Sequence, residues 1–400
     1  MRKLNRVFSD FGPGLLLAAT GIGVGDMVSA TVVGAKYGLM MVWVLAAGVL
    51  VKFVITEGLA KWQLATGTTL LEGWRDHLPP ALSIAFFGYF LIWTYFVSGA
   101  LVVTSAMVPA ALFPGSGQPM WGFIHAVLAA ILVYWGSYKR FVQIMKVLVG
   151  LMFSSLLVAN ALILYSGVRW TPVESSEISF LYALSLIGGV GGTVTLLSYG
   201  YWIREQRWKS SDRISVVRSD LVCSFLVVFI FSFCVIFLST QVGWEGNILD
   251  EGPELCILLA DRIAEETGAI GGIIFLLGFW GAAYSSVLGV WHGVPFLFDD
   301  WIHLWRRQQP KGHAGKPYRR YMVFMTLAAI STVYIERPVW LVFLYTLVGV
   351  LFFPFVISTL LWMNNSQKRI GAVLRNRWPS NLGLILSLLL FLYLGVRTFI

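Results

Sequence analysis

The chain has 400 residues, of which 58% are hydrophobic and 12% charged, about half the charged share of an ordinary soluble domain. Several apolar runs reach the ~20 residues that cross the hydrocarbon layer of a bilayer, so composition excludes a soluble globule. The net charge of +9 does not indicate nucleic acid, because there is no Lys/Arg-rich arm and no zinc-finger spacing.

Hydropathy places eleven spans, near 12–34, 39–60, 82–112, 121–138, 142–166, 180–203, 218–242, 270–294, 320–335, 338–362 and 381–398. The ninth is short. The chain starts on a basic stretch with no small-residue cleavage site after its first apolar run, so that run reads as a retained helix. The first span contains AATGIGVGDMVSAT (18–31), with glycines at 21, 23 and 25 followed by Asp26. A helix facing lipid has use for neither feature. Unwinding there exposes the carbonyls of Thr20 to Gly23, which are potential cation ligands. Two readings of Asp26 stand: a cation or proton site, the usual role of an intramembrane acid, and a cap on the half-helix resuming at Met27.

Span 2 carries Lys52, near mid-span, which either faces an internal cavity or an acid or snorkels to the surface. Glu57 and Lys61, at i,i+4 spacing near the end of the span, read as an interfacial ion pair. Trp93 and Tyr95 in span 3 sit mid-span and are candidates to line a pocket rather than form an interfacial belt. Span 6 contains SLIGGVGGTVTLLSYGYW (185–202), with glycines at 188, 189, 191 and 192. Each glycine in a helix interior costs roughly 1 kcal/mol relative to alanine. Close helix packing on small residues is one explanation. A second break, five spans after the first, is the other, and it predicts an inverted repeat with a binding site between two discontinuous helices.

The loop after span 7, GWEGNILDEGPELCILLADRIAEETG, is acidic and reads as solvated with a short helix. In span 8, Ser285 and Ser286 are candidates to face the span 1 carbonyls, with bonding to their own helix as the alternative. His292 is a candidate proton relay, or a structural hydrogen bonder. Asp299 and Asp300, past the end of span 8, read as solvated. Cys223 and Cys234 share span 7 and Cys256 lies in a loop, so no disulfide framework or metal spacing exists.

The N-terminal tail and the loops after spans 2, 4, 6, 8 and 10, with the helix ends beside them, hold 23 of the 29 Lys and Arg. Only Lys36, Arg169, Arg262, Arg337 and Arg397 lie on the opposite side. This bias predicts a plasma (inner) membrane protein with a cytoplasmic N-terminus and an extracytoplasmic C-terminus. No nucleophile–base pair, phosphate loop or soluble output domain points to an enzyme or a sensor.

The run GPGLLLAATGIGVGDMVSATVVGAKYG (12–38) resembles the first-span region of the Nramp family of divalent-metal transporters. GGTVT (191–195), SS (285–286) and FPFVISTLLW (353–362) resemble its spans 6, 8 and 10. The resemblance implies an all-α, LeuT-type 5+5 fold working by alternating access, with repeats over 12–166 and 180–362 and an added helix at 381–398. It also exposes departures. The family's Asp-Pro-Gly-Asn is Gly23-Val24-Gly25-Asp26 here, so Gly23 replaces the metal-binding aspartate. Its Met-Pro-His is Thr195-Leu196-Leu197, which removes a soft thioether that suits manganese or iron. On this reading the substrate set is Gly21, Gly23, Asp26, Gly191, Thr193, Thr195 and Tyr95, with Asp26 the metal ligand. Asp26, Lys52, Ser285, Ser286 and His292 are the candidates for coupling ions or protons. No cofactor is expected. The cargo is a small cation, Mg²⁺ or Mn²⁺; the alternative is a small organic solute, an amino acid or amine, bound by the freed amides and aromatics.

Overall fold

The computed structural model describes residues 12–399 except 114, 169–178, 209, 242–253, 307–314 and 336. Among these residues every regular element is helical. Span 1 is two helices, α1 (Pro13–Gly21) and α2 (Val24–Tyr37), interrupted at Ile22 and Gly23. Pro13 starts α1 where a missing N–H costs nothing. After a 3₁₀ turn, α3 (Val42–Thr66) ends on Gly67, whose φ of 71° supplies the left-handed stop. The short α4 (Leu70–His77) follows. It begins with a reciprocal cap between Thr69 and Glu72, a signature that the sequence carries but that hydropathy does not weigh.

Next come α5 (Pro80–Leu112), α6 (Gln118–Trp135) and α7 (Tyr138–Ser166). Span 6 is again divided, into α8 (Phe180–Gly189) and α9 (Ser198–Glu205), with a 3₁₀ turn over Val194–Leu197 between them. Then follow α10 (Ile214–Ser239), α11 (Glu254–Thr267, the short helix expected in the acidic loop), α12 (Ala269–Trp305) and α13 (Lys316–Ser331). Span 10 is α14 (Pro338–Val350) and α15 (Phe352–Asn364), which meet at Leu351. Pro354 accounts for that third interruption, because it cannot donate to the carbonyl four residues back. The chain closes with α16 (Gln367–Leu374) and α17 (Trp378–Phe399).

Nine stretches of the described residues are long and apolar enough to cross a membrane. One of them, Val24–Thr66, joins α2 and α3, and the 16-residue α13 falls below the length limit. With those two accounted for, the eleven expected segments are all present. The largest boundary error is in span 8, which continues to Trp305. Its last turns are covered rather than solvated: Phe87 stacks on Trp301 at 3.6 Å, and Asp299 and Asp300 are both 1% exposed. The helix interiors lack the one-sided apolar stripe of a soluble bundle, because lipid replaces water on the outer face. Exposed Trp43, Leu50, Ile92 and Val147 belong to that face.

A junction of two broken helices

The breaks in spans 1 and 6 lie directly against each other. A β-carbon on Gly21 would fall 2.7 Å from the Gly191 carbonyl carbon, and one on Gly25 would fall 2.8 Å from the Gly189 Cα. Glycine is therefore required here by the approach of one backbone to another. At Gly191 and Gly192 it is also required by φ values of 69° and 83°.

Unwinding a helix in hydrocarbon is tolerable only where each freed peptide group finds a partner. In span 1 the Thr20 and Ile22 carbonyls accept from one hydroxyl, Ser286 Oγ of α12, at 3.0 and 3.2 Å. The Gly23 amide donates to Asp26 Oδ2 at 3.3 Å, and the Tyr345 hydroxyl of α14 lies against Gly25, 2.4 Å from where a β-carbon there would sit. In span 6 the carbonyls of Gly188 and Val190 accept from Lys52 Nζ at 3.3 and 2.9 Å, and that of Gly192 accepts from the same nitrogen. The second oxygen of Asp26 accepts from Ser232 Oγ of α10 at 2.8 Å.

Asp26 is not the N-cap: the half-helix resumes at Val24 rather than Met27, Gly23 stands at its cap, and Asp26 in the first turn accepts the Gly23 amide. It also receives a hydroxyl from a third helix, at zero exposure. Lys52 does not snorkel. It is also fully buried, with its ammonium 4.5 Å from the Phe353 ring centre.

The other predicted residues divide. Thr193 is at the junction, buried, and its hydroxyl accepts from Trp93 Nε1 at 3.1 Å. Thr195, 5% exposed, folds back toward Gly192. Ser286 reaches the span 1 carbonyls, whereas Ser285 bonds to Ala282 of its own helix. Gly23 packs against Ser286 so tightly that any β-carbon at position 23 would displace that side chain. Two candidates lie elsewhere. Tyr95 is 39% exposed and receives a bond from Ser331, so of the two mid-span aromatics it is Trp93 that points inward. The adjacent turn positions 93 and 95 are some 200° apart around the helix. His292 stacks on Phe141 at 3.9 Å between α12 and α7, somewhat under two turns beyond Ser286. Ser232 and Tyr345 were not foreseen. A single serine or tyrosine in an apolar run carries no positional signal until the partner helix is known.

On either side of the junction, polar side chains tie the helices together. Toward one face, Ser29, Ser185 and Thr346 form a chain of hydroxyls, each step 3.0 Å, linking α2, α8 and α14. Toward the basic face, Asp300 Oδ2 accepts from Thr69 at 2.7 Å and Tyr201 at 2.5 Å, and Arg204 pairs with Glu72 at 2.7 Å. This second cluster pins α9 to α4 and α12. Hydrogen bonds to a charged group contribute about 1.5–3 kcal/mol each. Asp300→Ala is therefore expected to speed amide exchange across 198–205 by about tenfold or more, read by hydrogen–deuterium exchange mass spectrometry, while exchange in α6 stays unchanged.

Two interrupted helices, crossed at glycines inside a bundle of membrane-length helices, define a carrier of the LeuT type. The sequence profile of the Natural resistance-associated macrophage protein-like (Nramp) family matches residues 14–400. The chain belongs to that family of secondary-active transporters. Among solved structures it is similar to a mutant of the Eremococcus coleocola manganese transporter. The two share 15% identity over 98% of this chain and 86% of that one, with a TM-score of 0.79. Another structure of that transporter, in complex with an aromatic bis-isothiourea substituted compound, aligns at 14% identity over the same shares with a TM-score of 0.75. MhsT in complex with L-phenylalanine aligns at 16% identity over 96% of this chain and 98% of that one, with a TM-score of 0.59. At these identities the likeness is one of fold. No curated protein sequence matches the chain.

Proposed function

We propose that the chain carries a small hard cation, Mg²⁺ or Mn²⁺, by alternating access through the junction of the two broken helices. Supporting this is the family, whose solved relative above is a manganese transporter, and one observation in particular. Asp26 is a fully buried carboxylate within a ring of peptide groups and hydroxyls. Cargo ligands are Asp26, the Thr20 and Ile22 carbonyls once Ser286 turns away, and the Thr193 hydroxyl, with Gly21, Gly23 and Gly191 allowing the approach. Among the described residues no three His, Cys, Asp or Glu side chains cluster to hold a metal. An all-oxygen set with one carboxylate suits a hard, partly hydrated ion better than a soft one.

The repeats run over 12–166 and 180–362, with 381–398 outside them. The N-terminus is cytoplasmic in the plasma (inner) membrane, as the 23-to-5 distribution of basic residues supports. The Asp300 cluster then closes the cytoplasmic side and the Ser29–Ser185–Thr346 chain the outer side.

Purified protein in liposomes is expected to take up Mg²⁺ or Mn²⁺ above the protein-free rate. A second reading, an organic solute, draws support from Lys52, which already occupies the carbonyls of the second break. Absence of any divalent uptake, together with a thermal shift produced by an amino acid or amine, selects that reading instead.

A further inference from the structure

We infer that the unwound segment of span 6 is a cation site, and that the chain fills it with its own Lys52. Three successive alternate carbonyls, Gly188, Val190 and Gly192, converge on one ammonium. A helix that ends without a cap leaves such carbonyls bare, at the negative end of its dipole. Convergent carbonyls with an aromatic face, here Phe353 at 4.5 Å, make the environment that takes a free alkali or primary ammonium ion. The ammonium has three N–H groups, one for each carbonyl.

The functional meaning rests on the transport reading above: the Gly188, Val190 and Gly192 carbonyls of the second break are withheld from cargo, which meets only the Thr193 hydroxyl there, and no external monovalent ion takes part at them. Thr56 Oγ1 donates to the Lys52 carbonyl at 2.7 Å on the same helix. The stem rises from a regular turn of α3, so the ammonium is positioned by a rigid element and not by a loop.

The test reads stability and so stands apart from whether any metal moves. The full chain in lipid nanodiscs is melted in sodium chloride, potassium chloride and N-methylglucammonium chloride. Wild type is expected to melt at the same temperature in all three. Lys52→Ala empties the cage and is expected to melt lower by on the order of 5 °C. Propylammonium chloride is expected to restore it, and tetramethylammonium chloride, which has no N–H, is not. Three results overturn the inference: a wild-type melt that depends on the monovalent ion, a Lys52→Ala melt equal to wild type, or equal recovery by both ammonium salts. Should Lys52→Ala yield no folded protein, the wild-type salt series decides alone. Failure of divalent uptake with the expected melts would remove the cargo assignment and leave the internal cation in place.

Discussion

Asp26→Asn is expected to fold and to fail at transport, whereas Asp26→Ala fails at both. The carboxylate accepts the Gly23 amide and the Ser232 hydroxyl at zero exposure. Truncation to alanine strands both buried donors, at about 1–3 kcal/mol each, a large share of any protein's stability. Asparagine retains one carbonyl oxygen for the Gly23 amide. Its amide group faces the Ser232 hydroxyl, which can turn to accept from it. Capping survives in that variant and charge does not. Melting in nanodiscs and divalent uptake in liposomes separate the two roles. If Asp26→Asn transports at the wild-type rate, the carboxylate is a cap only and the cation site lies elsewhere.

That distinction also marks how far the sequence can be read. Helix existence was legible nearly everywhere, because lipid requires ~20 apolar residues per crossing and few charges. The two breaks were legible because glycine clusters are costly inside a helix and recur five spans apart. The length of α12 was not, since Asp299 and Asp300 lower the hydropathy of a segment that stays helical by burying both acids against α4 and α9. The split of span 10 was marked by Pro354 and passed over, and α4 by Thr69 and Glu72. Site residues that act through their own backbone, such as Gly21, Gly23 and Gly191, could be found from one strand of sequence. Of those that act across helices, Ser286 and Trp93 were legible as polar or aromatic groups at mid-span depth. Ser232 and Tyr345 were not, since their roles come from which helices are neighbours, and the ammonium of Lys52 could be placed at a break only once α3 and α8 were known to touch.

The crossing point itself gives the sharpest steric prediction. Gly21→Ala is expected to lower the melting temperature and to abolish uptake, although it adds a single methyl group to a residue of favourable helical type. The new carbon would meet the carbonyl carbon and oxygen of Gly191 at 2.7 and 2.8 Å, and backbone atoms have no rotamer by which to withdraw. The only relief is separation of the two breaks. Separation draws the carbonyls of the second break away from Lys52, so overpacking of about 1–3 kcal/mol is compounded by lost hydrogen bonds of about 1 kcal/mol each or more. Gly191→Ala strains the same point differently, since φ of 69° costs an L-residue about 1–2 kcal/mol before the Phe225 ring at 3.3 Å is considered. Gly88→Ala is the internal control: it lies in α5 with nothing within 4 Å of the added carbon, and helix propensity favours alanine there by roughly 1 kcal/mol. The three variants are therefore expected to rank Gly88→Ala at or above wild type, with Gly191→Ala and Gly21→Ala well below it in both melting and uptake. A Gly21→Ala protein as stable and active as Gly88→Ala would mean that the two broken helices do not touch in the membrane, and the ligand set built on their crossing would have to be abandoned.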